Sequence, residues 1–161
     1  MAQFQFQGLD EYLQILSQME GKTHGLIKRA VYDGAAVVAD AVATAIDKLP
    51  ERDGYAKPDE LPLSGITADQ KRGLKEGLGL TKIADENGYI NTKLGFDGYN
   101  SVKSKKFPNG QPNALIARSI NSGSSVRKKN PFVNNAVRSV QTKAEQAMAA
   151  RFDADLSQIM K

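Results

Sequence analysis

Leu80-Thr81-Lys82-Ile83-Ala84-Asp85-Glu86-Asn87-Gly88-Tyr89-Ile90-Asn91-Thr92-Lys93-Leu94-Gly95-Phe96 decides how this chain folds. Two segments, Leu80–Asp85 and Tyr89–Phe96, are joined through Asn87-Gly88. Asn-Gly between alternating segments is the strongest short-range signal for a β-hairpin, because both turn positions must tolerate positive φ. The register that follows sets Ile83 opposite Thr92 and puts Ile90, Leu94 and Phe96 on one face. A two-stranded hairpin is marginal alone. It is expected to pair with a strand at Phe4–Gln7, with residues around Tyr99–Lys103, or with a neighbouring subunit.

Outward from the hairpin, helical patterns lie on both sides. Towards the N-terminus, Thr67-Ala68-Asp69-Gln70 fits a capping box that opens a short helix to about Leu78. Before it, Glu51 to Pro62 is polar and carries Gly54, Pro58 and Pro62, a loop composition. Thr23 to Leu49 is a long helical pattern stopped by Pro50. Its apolar stripe is Ile27, Val31, Ala35, Val38, Val42, Ala45 and Leu49, with Asp33, Asp40 and Asp47 marking a solvated side. Phe4-Gln5-Phe6-Gln7 alternates as a half-buried strand does, and Leu9 to about Met19 reads as a short helix.

Towards the C-terminus, Gly98–Gly110 is a basic, turn-rich loop, and Pro112 suits a first helical position. Ala114–Ile120 makes a short helix ended by Ser122-Gly123-Ser124-Ser125. Asn130-Pro131 reads as an N-cap followed by proline, opening a last helix to about Met160. Val133, Val137, Val140, Ala144, Ala147, Phe152, Leu156 and Ile159 approximate its buried face. The prediction is an α+β fold, with a small antiparallel sheet packed against long N-terminal and C-terminal helices. All 161 residues form one domain, with exposed loops near 50–63 and 98–111.

Composition narrows the classes of function. Apolar residues at 40% and charged residues at 25% are ordinary for a water-exposed globular chain. No apolar run approaches the roughly 18 residues of a membrane span, and no signal peptide is expected from the N-terminus. The absence of cysteine removes disulfides, thiolate metal sites and thiol nucleophiles together.

Charge is distributed unevenly. Gly98 to Ala144 holds nine of the 22 cations and none of the 18 acids, so it carries +9 and the remainder, with 13 cations against 18 acids, carries −5. Such asymmetry concerns partners more than fold. Lys103, Lys105 and Lys106 form one cluster, Arg127, Lys128 and Lys129 another, with Arg118 between them and Tyr99, Phe107 and Phe132 nearby. Flexible cations can contact phosphates, and aromatic rings can stack on bases. The plain alternative is a solubilising surface.

Candidates for catalysis are weak. His24 is the only histidine, so it has no second imidazole for a metal site, and a surface position is the simpler reading. Asp59-Glu60 and Asp85-Glu86 are paired carboxylates, but both fall in loops or turns, where solvated acids are ordinary. Gly73–Gly79 is glycine-rich, yet it ends a helix instead of following a strand, so helix termination is favoured over phosphate binding. Ser122–Ser125 lacks a nucleophile motif and a nearby base. No enzyme activity, cofactor or metal is expected.

Several segments together carry a family resemblance. Gly8-Leu9-Asp10-Glu11-Tyr12-Leu13 opens it, then Ser64-Gly65-Ile66-Thr67 and Leu74–Gly79 follow. Phe96-Asp97-Gly98-Tyr99-Asn100 leads into Gly110–Arg118 and Ile120–Ser124, and Pro131-Phe132-Val133 precedes Ala136-Val137. In this order the chain resembles, over almost its whole length, the tail-component family of long-tailed bacteriophages and prophages, also called tail-completion or tail-terminator proteins. Many relatives carry an Arg-Thr-Gly-type segment where Leu63-Ser64-Gly65 stands here, so no role is transferred to that position.

The resemblance implies a structural virion protein at the head–tail junction, made in the host bacterial cytoplasm. Such subunits close into rings, often hexameric, that sit on the tail tube, face the head connector and let genomic DNA pass through the lumen. Lys103, Lys105, Lys106, Arg118, Arg127, Lys128, Lys129 and Phe132 are the candidates for a subunit interface or a DNA-facing lumen. The competing reading is a non-specific nucleic-acid-binding protein acting through residues 98–144.

Overall fold

The computed structural model describes residues 22–54 and 56–161. The expected Phe4–Gln7 strand and Leu9–Met19 helix lie outside the described residues. Among the described residues, four α-helices and a two-part hairpin make an α+β fold. Helix α1 spans Lys22–Asp47 and α2 spans Ala68–Gly77; the hairpin strands are β1 (Leu78–Leu80), β2 (Ala84–Glu86), β3 (Tyr89–Asn91) and β4 (Leu94–Phe96). Helix α3 is Asn113–Ser122 and α4 is Phe132–Ile159. At 1.5 Å per residue, α1 and α4 are each about 40 Å long. They pack against each other over most of that length: Phe132 and Ala136 share a core with Val42, Ile46 and Leu49, whereas Leu156 meets Leu26 at the other end. The helices are therefore antiparallel.

The main core lies at one end of this pair. Val42, Ile46, Leu49, Ile66, Leu74, Ile116, Ile120 and Phe132 are buried together, with Leu78, Leu94 and Phe96 of the hairpin against them. Each such side chain contributes about 1.5–3 kcal/mol relative to exposure. Some 24 Å away along α1, by helix geometry, Leu26, Leu156 and Phe152 form a second, small cluster.

The predicted stripe holds towards the C-terminal end of α1, where Val42 and Leu49 are buried and Val38 and Ala45 pack on the core, and is rotated in the N-terminal half. Leu26, Ala30, Gly34, Val42 and Ile46 are buried, while Ile27, Val31 and Ala35 are half-buried. Close packing explains the difference. Gly34 sits against the Met148 side chain and the Ala144 carbonyl, so the smallest residues mark the contact line, and a scan for large apolar side chains passes over them. Asp40 and Asp47 are exposed as expected, but Asp33 is half-buried and faces Arg151 at 3.5 Å. On α4, Phe132, Ala136, Ala144 and Leu156 are buried; Val137 and Ile159 are exposed, contrary to the predicted face.

The Asn87-Gly88 turn forms as expected, with φ of 57° and 86°. Ala84 pairs with Asn91 and Glu86 with Tyr89; nearer the core, Leu78 pairs with Phe96 and Leu80 with Leu94. Between these ladders three residues, Thr81–Ile83, oppose two, Thr92–Lys93. The mismatch is a bulge closed by threonines: Thr81 N–H donates to Lys93 O at 2.8 Å, and Thr92 Oγ1 donates to Thr81 O at 2.8 Å. Among the described residues no third strand joins the hairpin, and Tyr99 instead bridges Pro112. The hairpin runs along α1, with His24 Nε2 hydrogen-bonded to Asp85 near its tip.

The capping box on α2 is present, with Gln70 N–H donating to Thr67 Oγ1 at 3.2 Å and Thr67 N–H donating to Gln70 Oε1 at 3.1 Å. Gly77 closes α2, but with an extended exit at Leu78 (φ −66°, ψ 125°), so its smallness serves packing: a Cβ there would meet the Asp97 carbonyl. The entry to α4 also differs from expectation. Pro131 precedes the first helical residue and Asn130 does not cap it. The cap comes from the preceding helix: Asn121 Oδ1 accepts the backbone N–H of Val133 at 3.2 Å and of Asn134 at 3.4 Å.

Candidate functional site

The acid-free segment forms two excursions around α3. The first is the loop from Gly98 to Pro112. Its base is held by side-chain amides. Gln111 Oε1 accepts from Gln70 Nε2 of α2 at 2.8 Å and from Asn100 Nδ2 at 3.4 Å. Asn100 Oδ1 accepts the N–H of Val102 and of Gln111. Asn113 Nδ2 donates to Asp97 O at 2.8 Å. Gln70, Asn100 and Asn113 are all buried, so these bonds form away from water, where leaving such groups unpaired is costly. Gly110 completes the clasp at φ 108°, against the carbonyl of Asn100.

Beyond this base the loop is exposed. Lys103, Lys105 and Lys106 stand in solvent, and Lys106 lies over the ring of Phe107, 5.6 Å from its centre. A turn between Ser104 and Phe107, bonded in both directions at 3.0 and 3.1 Å, shapes the tip.

The second excursion, Gly123–Pro131, joins α3 to α4. Gly123 leaves α3 at φ 79°. Residues 63–66 then form a strap between two segments. On one side Ile66 N–H donates to Pro50 O and Arg52 N–H to Ile66 O; on the other Leu63 N–H donates to Val126 O and Lys128 N–H to Leu63 O. The strap thus ties the chain just after α1 to the basic connector.

The eight predicted residues separate into two groups. Lys103, Lys105, Lys106, Arg118, Lys128 and Lys129 are exposed. Phe132 is not available to an interface or a lumen: it is 4% exposed and packs on Phe96 with ring centres 6.3 Å apart. A proline-phenylalanine pair at the start of an amphipathic helix places the ring on the core side. Arg127 is also withdrawn, at 9% exposed, with its Nη1 donating to Gly65 O at 2.8 Å. Burial and the nearby Arg52 guanidinium hold Arg127 below the usual arginine range.

Among the described residues none of the nine cations of this segment forms an ion pair. Elsewhere the acids are engaged: Asp47 with Lys75, Glu51 with Lys71, Glu60 with Arg52, Asp155 with Arg29 and Arg151. The unpaired ones, Asp40, Glu76, Glu86 and Asp153 among them, are spread over several elements. The positive charge is therefore concentrated and the negative charge diffuse. Arg52 is the residue that sequence reasoning missed. It lines a groove with Ser101, Val102 and Lys103 and a second groove with Gly65 and Lys128, so it links the two basic clusters. Its position before the acid-free run hid it.

The other candidates have structural partners. His24 is bound to Asp85, whose carboxyl is held below the ordinary range first by that bond and then by the Gly88 N–H. Glu60 accepts from Arg52 and from Lys57 N–H, and Asp59 is exposed beside it. Among the described residues no group of three or more potential metal ligands converges, and no helix is long and apolar enough to cross a membrane. Comparison of the chain with protein-family models, curated proteins and solved structures finds no match.

Proposed function

We propose that this chain is a structural subunit of a phage virion, forming a ring at the head–tail junction that completes the tail and joins it to the head connector. The observation that carries the reading is a clamped, one-signed surface: among the described residues, five exposed cations without internal ion pairs stand on two excursions, with Arg118 exposed on α3 between them, and buried amides fasten the base of the first excursion while the 63–66 strap holds the second. A positive surface held in place, with no group of potential metal ligands converging among the described residues, suits binding to a negative surface. Rings of identical subunits need two different surfaces that fit each other. The motif residues behind the family resemblance support the same reading. Asn100, Gly110, Gln111 and Asn113 fasten the basic loop, a role that needs no chemistry.

On this reading the partners are further copies of the chain, the tail tube, the head connector and the DNA that threads the lumen, and the site of action is the virion. Non-specific nucleic-acid binding is the second reading, favoured by the same unpaired cations. It lacks a stacking surface at the predicted aromatics: Phe132 is buried and Phe107 is covered by Lys106, leaving Tyr99 at 69% exposed.

The test is a particle series. Virions assembled without this chain should accumulate as separate filled heads and tails in electron micrographs, and supplying the chain should restore joined particles. Normal joined particles in its absence would remove the reading.

A further inference from the structure

Two Asn-Gly peptides occur in the chain, Asn87-Gly88 and Asn109-Gly110. In such a pair the glycine nitrogen can attack the asparagine side-chain amide, because no side chain on the glycine obstructs it. The fold treats the two pairs differently. Gly110 is buried, its N–H donates to Phe107 O at 3.2 Å, and its backbone lies against the Asn100 carbonyl. That peptide cannot turn without opening the base of the basic loop. Asn87 and Gly88 are exposed at the hairpin tip, and no heavy atom lies within 4 Å of where a Gly88 side chain would begin. The core takes side chains from β1 and β4 and none from β2 or β3, so the tip opens at low cost. Asn87 is also the one described residue other than glycine at positive φ, 57°, a conformation that disfavours a side chain. One restraint faces the pair. Asp85 Oδ1 accepts the Gly88 N–H at 2.8 Å, while Asp85 Oδ2 is bonded to His24 Nε2. The His24 bond first, and the Gly88 bond second, hold the Asp85 carboxyl below the ordinary range, so it remains an acceptor at neutral pH.

We propose that Asn87 is a site of spontaneous deamidation, and that Asp85 sets its rate by holding the Gly88 N–H. The Gly88 nitrogen attacks Asn87 Cγ and gives up its proton to solvent. A new N–C bond closes a cyclic imide as the bond from Cγ to the side-chain nitrogen breaks. That nitrogen takes up a proton and leaves as ammonia. Water then opens the ring at either carbonyl, giving aspartate or β-linked isoaspartate. Water is the only co-reactant, and nothing is oxidised or reduced. While Asp85 holds the N–H, the nitrogen keeps its proton and the peptide cannot rotate freely. Either product sets a further carboxylate beside Asp85 and Glu86. The β-linkage also adds a backbone atom to the turn that pairs Glu86 with Tyr89. The change runs one way, so the charge at the hairpin tip records the age of the subunit. Nothing in this chemistry depends on the head–tail placement.

The test is tryptic peptide mapping of the folded chain after increasing times at pH 8 and 37 °C. Ile83–Lys93 and Phe107–Arg118 are the peptides that carry the two pairs. Ile83–Lys93 should gain one dalton, placed at Asn87 by fragmentation, and separate into aspartate and isoaspartate forms. The gain should run at least threefold faster than at Asn109. Asp85→Ala, which frees the Gly88 N–H, should speed conversion of Asn87 at least threefold again. His24→Ala, which unfastens the tip from α1 but keeps the Gly88 bond, should speed it less. The Asn109 rate in the same samples controls for loss of the fold. Asn87 that stays unconverted, or converts no faster than Asn109, would overturn the site. No acceleration in Asp85→Ala, or equal acceleration in both variants, would overturn the hold of Asp85 on the Gly88 N–H as the control.

Discussion

Asn121, in the last turn of α3, caps α4 by accepting the backbone N–H of Val133 through its side-chain oxygen at 3.2 Å. One side chain thereby fixes the angle between two helices and the course of the basic connector between them. Asn121→Ala should cost about 1 kcal/mol, as cap removal does, and lower the melting temperature by roughly 2–4 °C. Asn121→Asp should retain the cap, because a carboxylate is favoured at a helix N-terminus. Thermal melts of both variants check this; an unchanged melting temperature in Asn121→Ala would show that the cap carries no stability.

Gly110 holds the base of the basic loop at a φ of 108°, against the carbonyl of Asn100. Gly110→Ala meets both a disfavoured backbone conformation and a backbone atom that cannot move aside. A loss of about 2 kcal/mol or more is expected. Urea denaturation measures it, and protease cleavage within residues 99–109 should accelerate in step. A wild-type denaturation midpoint would mean that the clasp re-forms around the methyl group.

The exposed cations and the buried ring should respond in opposite ways. Lys103, Lys105, Lys106, Lys128 and Lys129 changed together to Glu should leave the subunit folded and abolish ring formation or tail joining. Phe132→Ala should cost about 3–5 kcal/mol through its core cavity. Circular dichroism melts and a particle-joining assay on the same preparations separate the two effects. Full joining activity in the charge-reversed subunit would exclude these lysines from the interface.

Asp155 links the far ends of the long helices, accepting from Arg29 Nε at 2.6 Å and Arg151 Nε at 3.2 Å. The Arg29 bond, ahead of the Arg151 bond, holds its carboxyl below the ordinary range. A depressed folded value stabilises above the unfolded value of about 3.9 and loses that effect as pH falls through the folded value. Asp155→Asn should therefore melt slightly below wild type at pH 7 and at pH 5, with the two curves converging as pH falls through the folded value. A gap that is constant down to pH 2 would show that the ion pair is not its source.

Features governed by neighbouring residues were legible in the sequence. The Asn87-Gly88 turn and the Thr67–Gln70 capping box depend on local stereochemistry and appear as expected. Contacts between distant elements were not. The α1 stripe turned because Gly34 and Ala30 allow α4 close, a preference that no hydrophobic count registers. The cap at α4 was assigned to Asn130, the nearest suitable residue, whereas Asn121 reaches it across a loop. At the candidate site, the exposed lysines followed from composition. Arg127 and Phe132 did not, because whether a residue within a basic run faces solvent or a strap is decided by segments some 35 to 65 residues away, at Phe96 and Gly65.

The placement of the core at one end of the α1–α4 pair has a mechanical consequence. Protection against amide hydrogen exchange should fall along both helices, from Val42 and Ala136 towards Leu26 and Leu156, because among the described residues a three-residue apolar cluster and the exposed ion pairs around Asp155 hold the distal turns, against a much larger core at the other end. The chain is then a rigid head bearing a lever that opens by fraying from its tip, so a load applied at the tip would part the helices there before it reached the strap and the basic loop.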